Sequence, residues 1–212
     1  GNTTSGYGIN KKGITASSYE MLIGAASAEE CIVSSAFKNV DVLPANMSLA
    51  GAEIELIGLE HRESRVKTAT ANIKAKYDFI FIDCPPSLGL ITLNALAASD
   101  TLLVPIQCEY YALEGLSQLM ATVRSVKRLY NPALDIEGVL LTMFDGRLNL
   151  TQQVVNEVKR FFPKKVFKTF IPRAVRLSEA PSFGQPILYY DKSSKGAKAY
   201  SELAKEVIRN NR

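Results

Sequence analysis

Residues 76–89 read Lys76-Tyr-Asp-Phe-Ile-Phe-Ile-Asp83-Cys-Pro-Pro-Ser-Leu-Gly89. Residues 79–82 are apolar without a break and lie between Asp78 and Asp83. A run apolar on both faces predicts a strand buried on both sides, the kind found in parallel sheets. Residues 101–106, 136–143 and 165–171 predict three more strands, the last ending at Pro172. Helical patterns fill the spaces between them. One covers 113–129. The next starts at Asn149 as N-cap and puts Val154, Val155, Val158, Phe161 and Phe162 on one apolar face. The last runs over 195–209 with Ala197, Tyr200, Ala204, Val207 and Ile208 inward. Strand–helix alternation implies an α/β fold with a mostly parallel central sheet, right-handed crossovers and helices on both faces. Residues 1–212 are expected to form a single domain.

Before residue 76 the signals are weaker. Residues 1–13 are rich in Gly, Thr, Ser and Asn and read as loop. Ser27 followed by Glu30 is a capping box and predicts a helix over 28–37. Residues 40–43 predict a short strand stopped by Pro44, and 48–75 carry helical spacing broken near Gly58.

Composition removes several function classes. The 212 residues are 47% hydrophobic and 22% charged, ordinary for a globular domain. No apolar run approaches the roughly 18 residues of a membrane helix, and the first residues lack the apolar core of a secretory signal, so the expected location is cytoplasmic. Cys31, Cys84 and Cys108 are far apart and contain no CxxC pair, which predicts buried free thiols rather than a zinc or disulfide framework. His61 is the sole histidine and sits in a polar stretch, a poor basis for Ser-His or Cys-His hydrolysis. The net charge of +4 is mild, but the basic residues bunch in the C-terminal third.

In open α/β sheets ligands bind beyond the carboxyl ends of the strands. Asp83 ends the first buried run, where a carboxylate needs a partner. A Mg²⁺ ion or its water shell is one, as at the second acidic motif of phosphate-loop NTPases. Asp83 or Ser87 capping a helix that starts near Leu88 is the alternative. Two later loops, around Arg147 and from Ile171 through Arg173 to Arg176, carry arginines at the same predicted edge.

Six segments together carry a specific resemblance: GNTTSGYGI (1–9), KYDFIFIDCPPSLG (76–89), LLVPIQCEYYALEG (102–115), LLTMFDGRLNLTQQVVNEVKRFF (140–162), FIPRAVRLSEAPSFGQPI (170–187) and YDKSSKGAKAYSELAKEV (190–207). The chain resembles the ParA/Soj chromosome-partition ATPases over its whole length. The resemblance implies a P-loop NTPase-like three-layer α/β sandwich that binds ATP and Mg²⁺ and forms a homodimer around the nucleotide. It also implies non-specific binding to DNA, a nucleoid-associated location, and stimulation by a ParB/Spo0J-like centromere-binding protein. Relatives also act on the replication initiator DnaA. By motif, Asp83 corresponds to the acidic residue that acts on Mg²⁺ through water. Met143, Ile171, Pro172 and Arg173 correspond to the adenine-side wall. Arg147 and Arg176 correspond to residues that hold DNA phosphates, with Lys159, Arg160, Lys164, Lys165 and Lys168 adding to the field. No amphipathic tail of the kind that anchors the MinD-like relatives to membranes follows the last helix, so no membrane partner is expected.

The sequence departs from the family at one place. It contains no GxxxxGK[ST] phosphate loop. That loop supplies the N–H cradle, the phosphate-binding lysine and a Mg²⁺-binding hydroxyl. The expectation is an N-terminally truncated domain that lacks one βαβ unit, on the order of 30 residues, and that hydrolyses ATP poorly by itself. A non-enzymatic DNA- or partner-binding module derived from the family is the alternative. A metabolic phosphate-loop ligase is a third reading, disfavoured by the partition-type motif RLSEAPSFG at 176–184.

Overall fold

A computed structural model describes residues 1–85, 87–109 and 112–211, with the side chains of 112–114 outside the description. The chain divides into two compact units. One comprises residues 1–99 and 122–134, the other 100–121 and 135–212.

The first unit is mainly helical. It contains α1 (Asn2–Gly6), α2 (Ser18–Ile23), α3 (Ala28–Cys31), α4 (Leu49–Leu56), α5 (Arg65–Thr70) and α6 (Leu90–Ala98). Its core holds Met21, Leu22, Ala28, Cys31, Ala52, Leu56, Val66 and Ile73. Capping boxes at Ser17–Glu20 and Ser27–Glu30 start α2 and α3, each Ser also bonded to its Glu, so local chemistry fixes both helix starts. The capping box predicted at Ser27 is therefore present, but its helix ends at Cys31 rather than 37. The β-branched pair Ile32-Val33 turns extended, and β1 (Val33–Ser34) pairs antiparallel with β2 (Asp41–Val42). Asn94 is fully buried and satisfied. Its amide donates to the Arg62 and Leu90 carbonyls and its oxygen accepts from the Val66 N–H. Residues 1–13, read as loop, instead contain α1 and a short 3₁₀ turn at Lys11–Gly13.

Residues 79–82 differ most from expectation. The segment belongs to no described strand, and all four side chains are exposed, Phe81 at 75%. The Phe79 and Phe81 rings, two residues apart on one face, stack on each other at 6.2 Å. A continuous apolar run favours burial on both faces, but a buried strand also needs a partner ladder and a cover. Neither is present among the described residues.

The second unit carries the parallel sheet. β3 (Thr101–Gln107) pairs in parallel with β4 (Asp135–Thr142), with an irregularity that sets Leu102 opposite Ile136 and Leu103 opposite Gly138. Side chains alternate across β4. Val139 and Leu141 pack on one side with Val104, Ile106 and the apolar face of α8 (Asn149–Phe161). Leu140 packs on the other with Leu203 and Val207 of α11 (Lys195–Asn210). The unit is thus an α/β layer with helices on both faces, the predicted fold class. β4 is buried almost throughout, and each such Val or Leu contributes about 1.5–3 kcal/mol. α7 (Ala112–Leu129) follows β3, with its first part in this unit and its last in the other.

Two helical faces were drawn slightly wrong from sequence. On α8, Val154, Val155 and Val158 are buried with Phe162 just beyond, but Phe161 is 61% exposed. The N-cap is Leu148, so Asn149 is the first helical residue. On α11 the buried set is Gly196, Ala197, Leu203, Glu206 and Val207, while Tyr200, Ala204 and Ile208 are exposed.

The predicted strand at 165–171 is only partly a strand. Bridges join Val139 to Val166 and Phe144 to Pro172. The Phe167 N–H donates to the Val139 carbonyl, yet it is the Ile171 N–H that reaches the Leu141 carbonyl. In a regular parallel ladder that bond would come from residue 169. Two residues are therefore looped out. Their N–H groups, on Lys168 and Thr169, both donate to the buried Glu206 carboxylate, at 2.9 and 3.2 Å, and the Thr169 hydroxyl adds a third bond at 3.0 Å. Among the described residues no helix is long and apolar enough to cross a membrane.

Candidate functional site

In the first unit, Asp83 is exposed at the end of the unpaired apolar segment. Its Oδ2 accepts a 2.6 Å hydrogen bond from the Thr3 hydroxyl of α1. Helix α6 begins after Gly89 with no side-chain cap. The helix-cap role considered for Asp83 and Ser87 is therefore not the one they play. The Ser87 carbonyl instead accepts from Thr92. Pro86 of this loop lies outside the described residues.

The donors near Asp83 are hard oxygens, a carboxylate and a hydroxyl. No cluster of three or more metal-binding side chains occurs among the described residues. Mg²⁺ keeps several waters and takes one or two carboxylates alongside substrate phosphates. A lone exposed carboxylate fits an ion held through its water shell and does not fit a dedicated all-protein cage.

In the second unit, two loops meet at the carboxyl end of β4. The Phe144 N–H donates to the Ile171 carbonyl at 3.0 Å, and the Arg173 N–H to the Phe144 carbonyl at 3.4 Å. The Phe144 and Phe170 rings stack at 4.7 Å. These contacts bring Met143, Ile171, Pro172 and Arg173 together. They are not equally available. Ile171 is buried in the core with Leu140 and Phe167, whereas Met143 and Arg173 are exposed. Met143 sits at φ 52°, a left-handed conformation uncommon for a non-glycine residue.

Arg147 projects from the same loop with its side chain 88% exposed, and Asp145 grips it through two hydrogen bonds of 2.9 and 2.6 Å. The Arg147 side chain and backbone N–H hold the Asp145 carboxyl at about 2, below its usual 3.8. Because the folded value is depressed, this contact's stabilisation is present above the ordinary carboxylate value. It is lost as pH falls from about 4 toward 2. Arg147→Ala is expected to return the Asp145 midpoint toward the ordinary range, read by carboxyl-carbon NMR titration. An unmoved midpoint would show that another group holds it down.

Arg176 is also engaged. Its guanidinium pairs with Glu179 at 3.0 Å and Asp191 at 3.5 Å and lies 5.9 Å from the Tyr190 ring centre. Tyr190 in turn stacks on Phe183 at 5.0 Å. Lys159 and Arg160 are exposed in the last turn of α8, with Arg160 3.7 Å from Glu157. Lys165 pairs with Asp135 at 3.1 Å and also donates to the Ile136 carbonyl. Lys164 and Lys168 are exposed.

Three features escaped the sequence reading. Thr3 lay in a segment read as loop, and no spacing rule links it to Asp83. Glu206 looked like any helix-surface charge. An open cavity of about 390 Å³ lies along β3 and the start of α7, lined by Val104, Ile106, Gln107, Glu109, Leu116 and Leu119 among others. Among the cysteines, Cys31 and Cys108 are buried, and burial pushes both thiols up, but Cys84 is exposed, against expectation. His61 is exposed as expected.

Comparison with known proteins adds the following. A family model described as an AAA domain matches residues 1–136. The chain is 56% identical over 210 residues to the sporulation initiation inhibitor protein Soj of Bacillus subtilis, covering 99% of this chain and 83% of Soj. It is 51% identical over 209 residues to the chromosome partitioning protein ParA of Myxococcus xanthus, covering 99% of this chain and 74% of ParA. Among solved structures, cobyrinic acid a,c-diamide synthase from Mycobacterium smegmatis, with bound ATP analog and magnesium, is similar at a TM-score of 0.85 and 33% identity. That match covers 99% of this chain and 78% of the synthase.

Proposed function

Because the chain belongs to the Soj/ParA family of chromosome-partitioning ATPases, with its P-loop NTPase fold, we propose that it is a nucleotide-switched DNA-segregation protein. In this reading ATP and Mg²⁺ join two copies, and the dimer lies on DNA without reading sequence, placing the protein on the nucleoid in the cytoplasm. A ParB/Spo0J-like protein stimulates hydrolysis, and the replication initiator DnaA is a further partner. The observation that carries the reading is the stitched pair of loops at 143–147 and 171–173, which presents Arg147 and Arg173 together beyond the carboxyl end of β4. The family's bond to ATP and Mg²⁺ is supported by the synthase structure with an ATP analog and magnesium. Asp83 is the residue proposed to act on the ion through water. The 56% identity to Soj, against 33% to the synthase, favours partition over amide-forming ligation.

Arg147 and Arg176 each already hold a carboxylate. A phosphate contact therefore replaces an internal ion pair, and each contact is worth less than that of a free cation. Phosphate contacts position a protein without specifying sequence and weaken with salt. Arg147→Glu and Arg176→Glu are each expected to weaken binding to random duplex DNA by about three- to tenfold, equally for unrelated sequences. Anisotropy at several salt concentrations measures this in the presence of ATP and Mg²⁺. Unchanged affinity in both variants would remove the assigned DNA surface.

The competing reading is a module of the same family that binds DNA or a partner without hydrolysing ATP. Fluorescent-ATP titration separates the two. Micromolar binding supports the switch, and DNA binding indifferent to ATP supports the module.

A further inference from the structure

We propose that Thr3 is a positioning residue that sets the direction of the Asp83 carboxylate. The inference rests on the reading of Asp83 as the carboxylate that acts on the ion.

Thr3 and Asp83 are 80 residues apart in sequence, yet their side chains meet at 2.6 Å. That is the length of a hydroxyl donating to an ionised carboxylate, a stronger bond than a neutral pair makes. The helix that carries Thr3 is itself anchored. Thr4, next in line, is 1% exposed. Its hydroxyl accepts from the Ala45 N–H at 2.9 Å and donates to the Ala45 carbonyl at 3.2 Å. Gly1 closes the same contact, since a Cβ there would collide with the Ala45 carbonyl oxygen. Adjacent residues on a helix point about 100° apart. With Thr4 locked onto residue 45, Thr3 is left facing Asp83. In a helix threonine divides between two χ1 rotamers, and the bond to Asp83 selects one of them.

Asp83 needs such a guide. Its carboxylate is exposed to solvent. An unguided exposed aspartate samples several rotamers. The Thr3 bond occupies Oδ2 and leaves Oδ1 for the water shell of an ion. Asp83 is exposed and water competes for the bond. The effect on ion binding is therefore modest, roughly three- to tenfold.

The test uses the intact chain and the variants Thr3→Val and Thr3→Ser. The first readout needs no nucleotide: the Asp83 χ1 populations from three-bond NMR couplings. One rotamer is expected to dominate in the parent and in Thr3→Ser, with averaging in Thr3→Val while amide shifts outside α1 and residues 83–85 stay in place. An unaveraged Asp83 in Thr3→Val overturns the proposal. The second readout is the broadening of the Asp83 carboxyl-carbon signal by Mn²⁺ with ATP. Thr3→Val should need roughly three- to tenfold more Mn²⁺ than the parent, and Thr3→Ser about the same as the parent. Equal Mn²⁺ requirement in Thr3→Val and parent also overturns it. If Mn²⁺ with ATP leaves the parent Asp83 signal sharp, the ion reading of Asp83 falls, and the rotamer comparison decides the role of Thr3 independently.

Discussion

Replacing Glu206 with leucine is expected to destabilise the second unit by about 3 kcal/mol, as measured by urea unfolding. The side chain is buried on α11, and its two oxygens accept from the Lys168 N–H, the Thr169 N–H and the Thr169 hydroxyl. A hydrogen bond to a charged group contributes about 1.5–3 kcal/mol, and stranding the donors adds their desolvation cost. Against this, leucine gains apolar burial of about 1–2 kcal/mol. Three lost acceptor contacts outweigh that gain. Glu206→Gln keeps one acceptor oxygen but turns an NH₂ toward donors, so it should lie between the two. The damage should also be local in a defined way. Amide exchange at Lys168 and Thr169 should rise first, and the loop pairing between Phe144, Ile171 and Arg173 should loosen next, because residues 168–169 join that loop to the sheet. A leucine variant as stable as the parent, with unchanged exchange at 168 and 169, would show that the looped-out residues hold themselves.

That bond set also explains why the sequence was misleading at 165–171. Val166, Phe167, Phe170 and Ile171 read as a strand, and two short stretches do pair with β4. The interruption comes from a carboxylate about 38 residues later in the chain. Periodicity records which face a residue prefers and carries no trace of a distant hydrogen-bond acceptor. The same limit applies at 79–82. The pattern reports four residues that favour burial, but burial also depends on what other segments place against them. Where the determinants are local, the reading is close. The capping box at Ser27, the buried β4 and the valine face of α8 follow from nearest-neighbour chemistry. The site divides in the same way. The loops with Met143, Arg147 and Arg173 lie at a strand end, where topology alone places them. That Arg147 would be held by Asp145, and Arg176 by Glu179, depends on rotamers and turns of only a few residues, whereas the Arg176 contact with Asp191 depends on packing. Thr3 reaches Asp83 only through the docking of α1 on Ala45, an arrangement no local rule encodes.

Gly138→Ala is expected to cost about 2 kcal/mol, although in an ordinary strand this change is neutral or mildly stabilising. The reason is Phe167. A Cβ on residue 138 would lie 2.5 to 2.9 Å from three carbons of its ring, well inside van der Waals contact. The ring cannot swing aside cheaply, since Phe167 is 4% exposed and packs among Leu140, Ile171, Leu203 and Val207. Gly138 also sits directly after the irregular pairing at Leu102 and Leu103, so β4 is already locally bent there. The general gain from restricting the unfolded chain is under about 1 kcal/mol. Overpacking a tight core costs about 1–3 kcal/mol, and this decides the sign. The cause can be isolated with a double-mutant cycle. Phe167→Leu alone should destabilise by about 1 kcal/mol through lost packing. In that background, Gly138→Ala should cost less than about 0.5 kcal/mol, because the branched side chain leaves room for the new methyl. The coupling between the two positions would then be about 1.5 kcal/mol, the size expected of residues in direct contact. A cycle in which the two effects simply add would place the strain of residue 138 in the backbone bend and not in the ring above it.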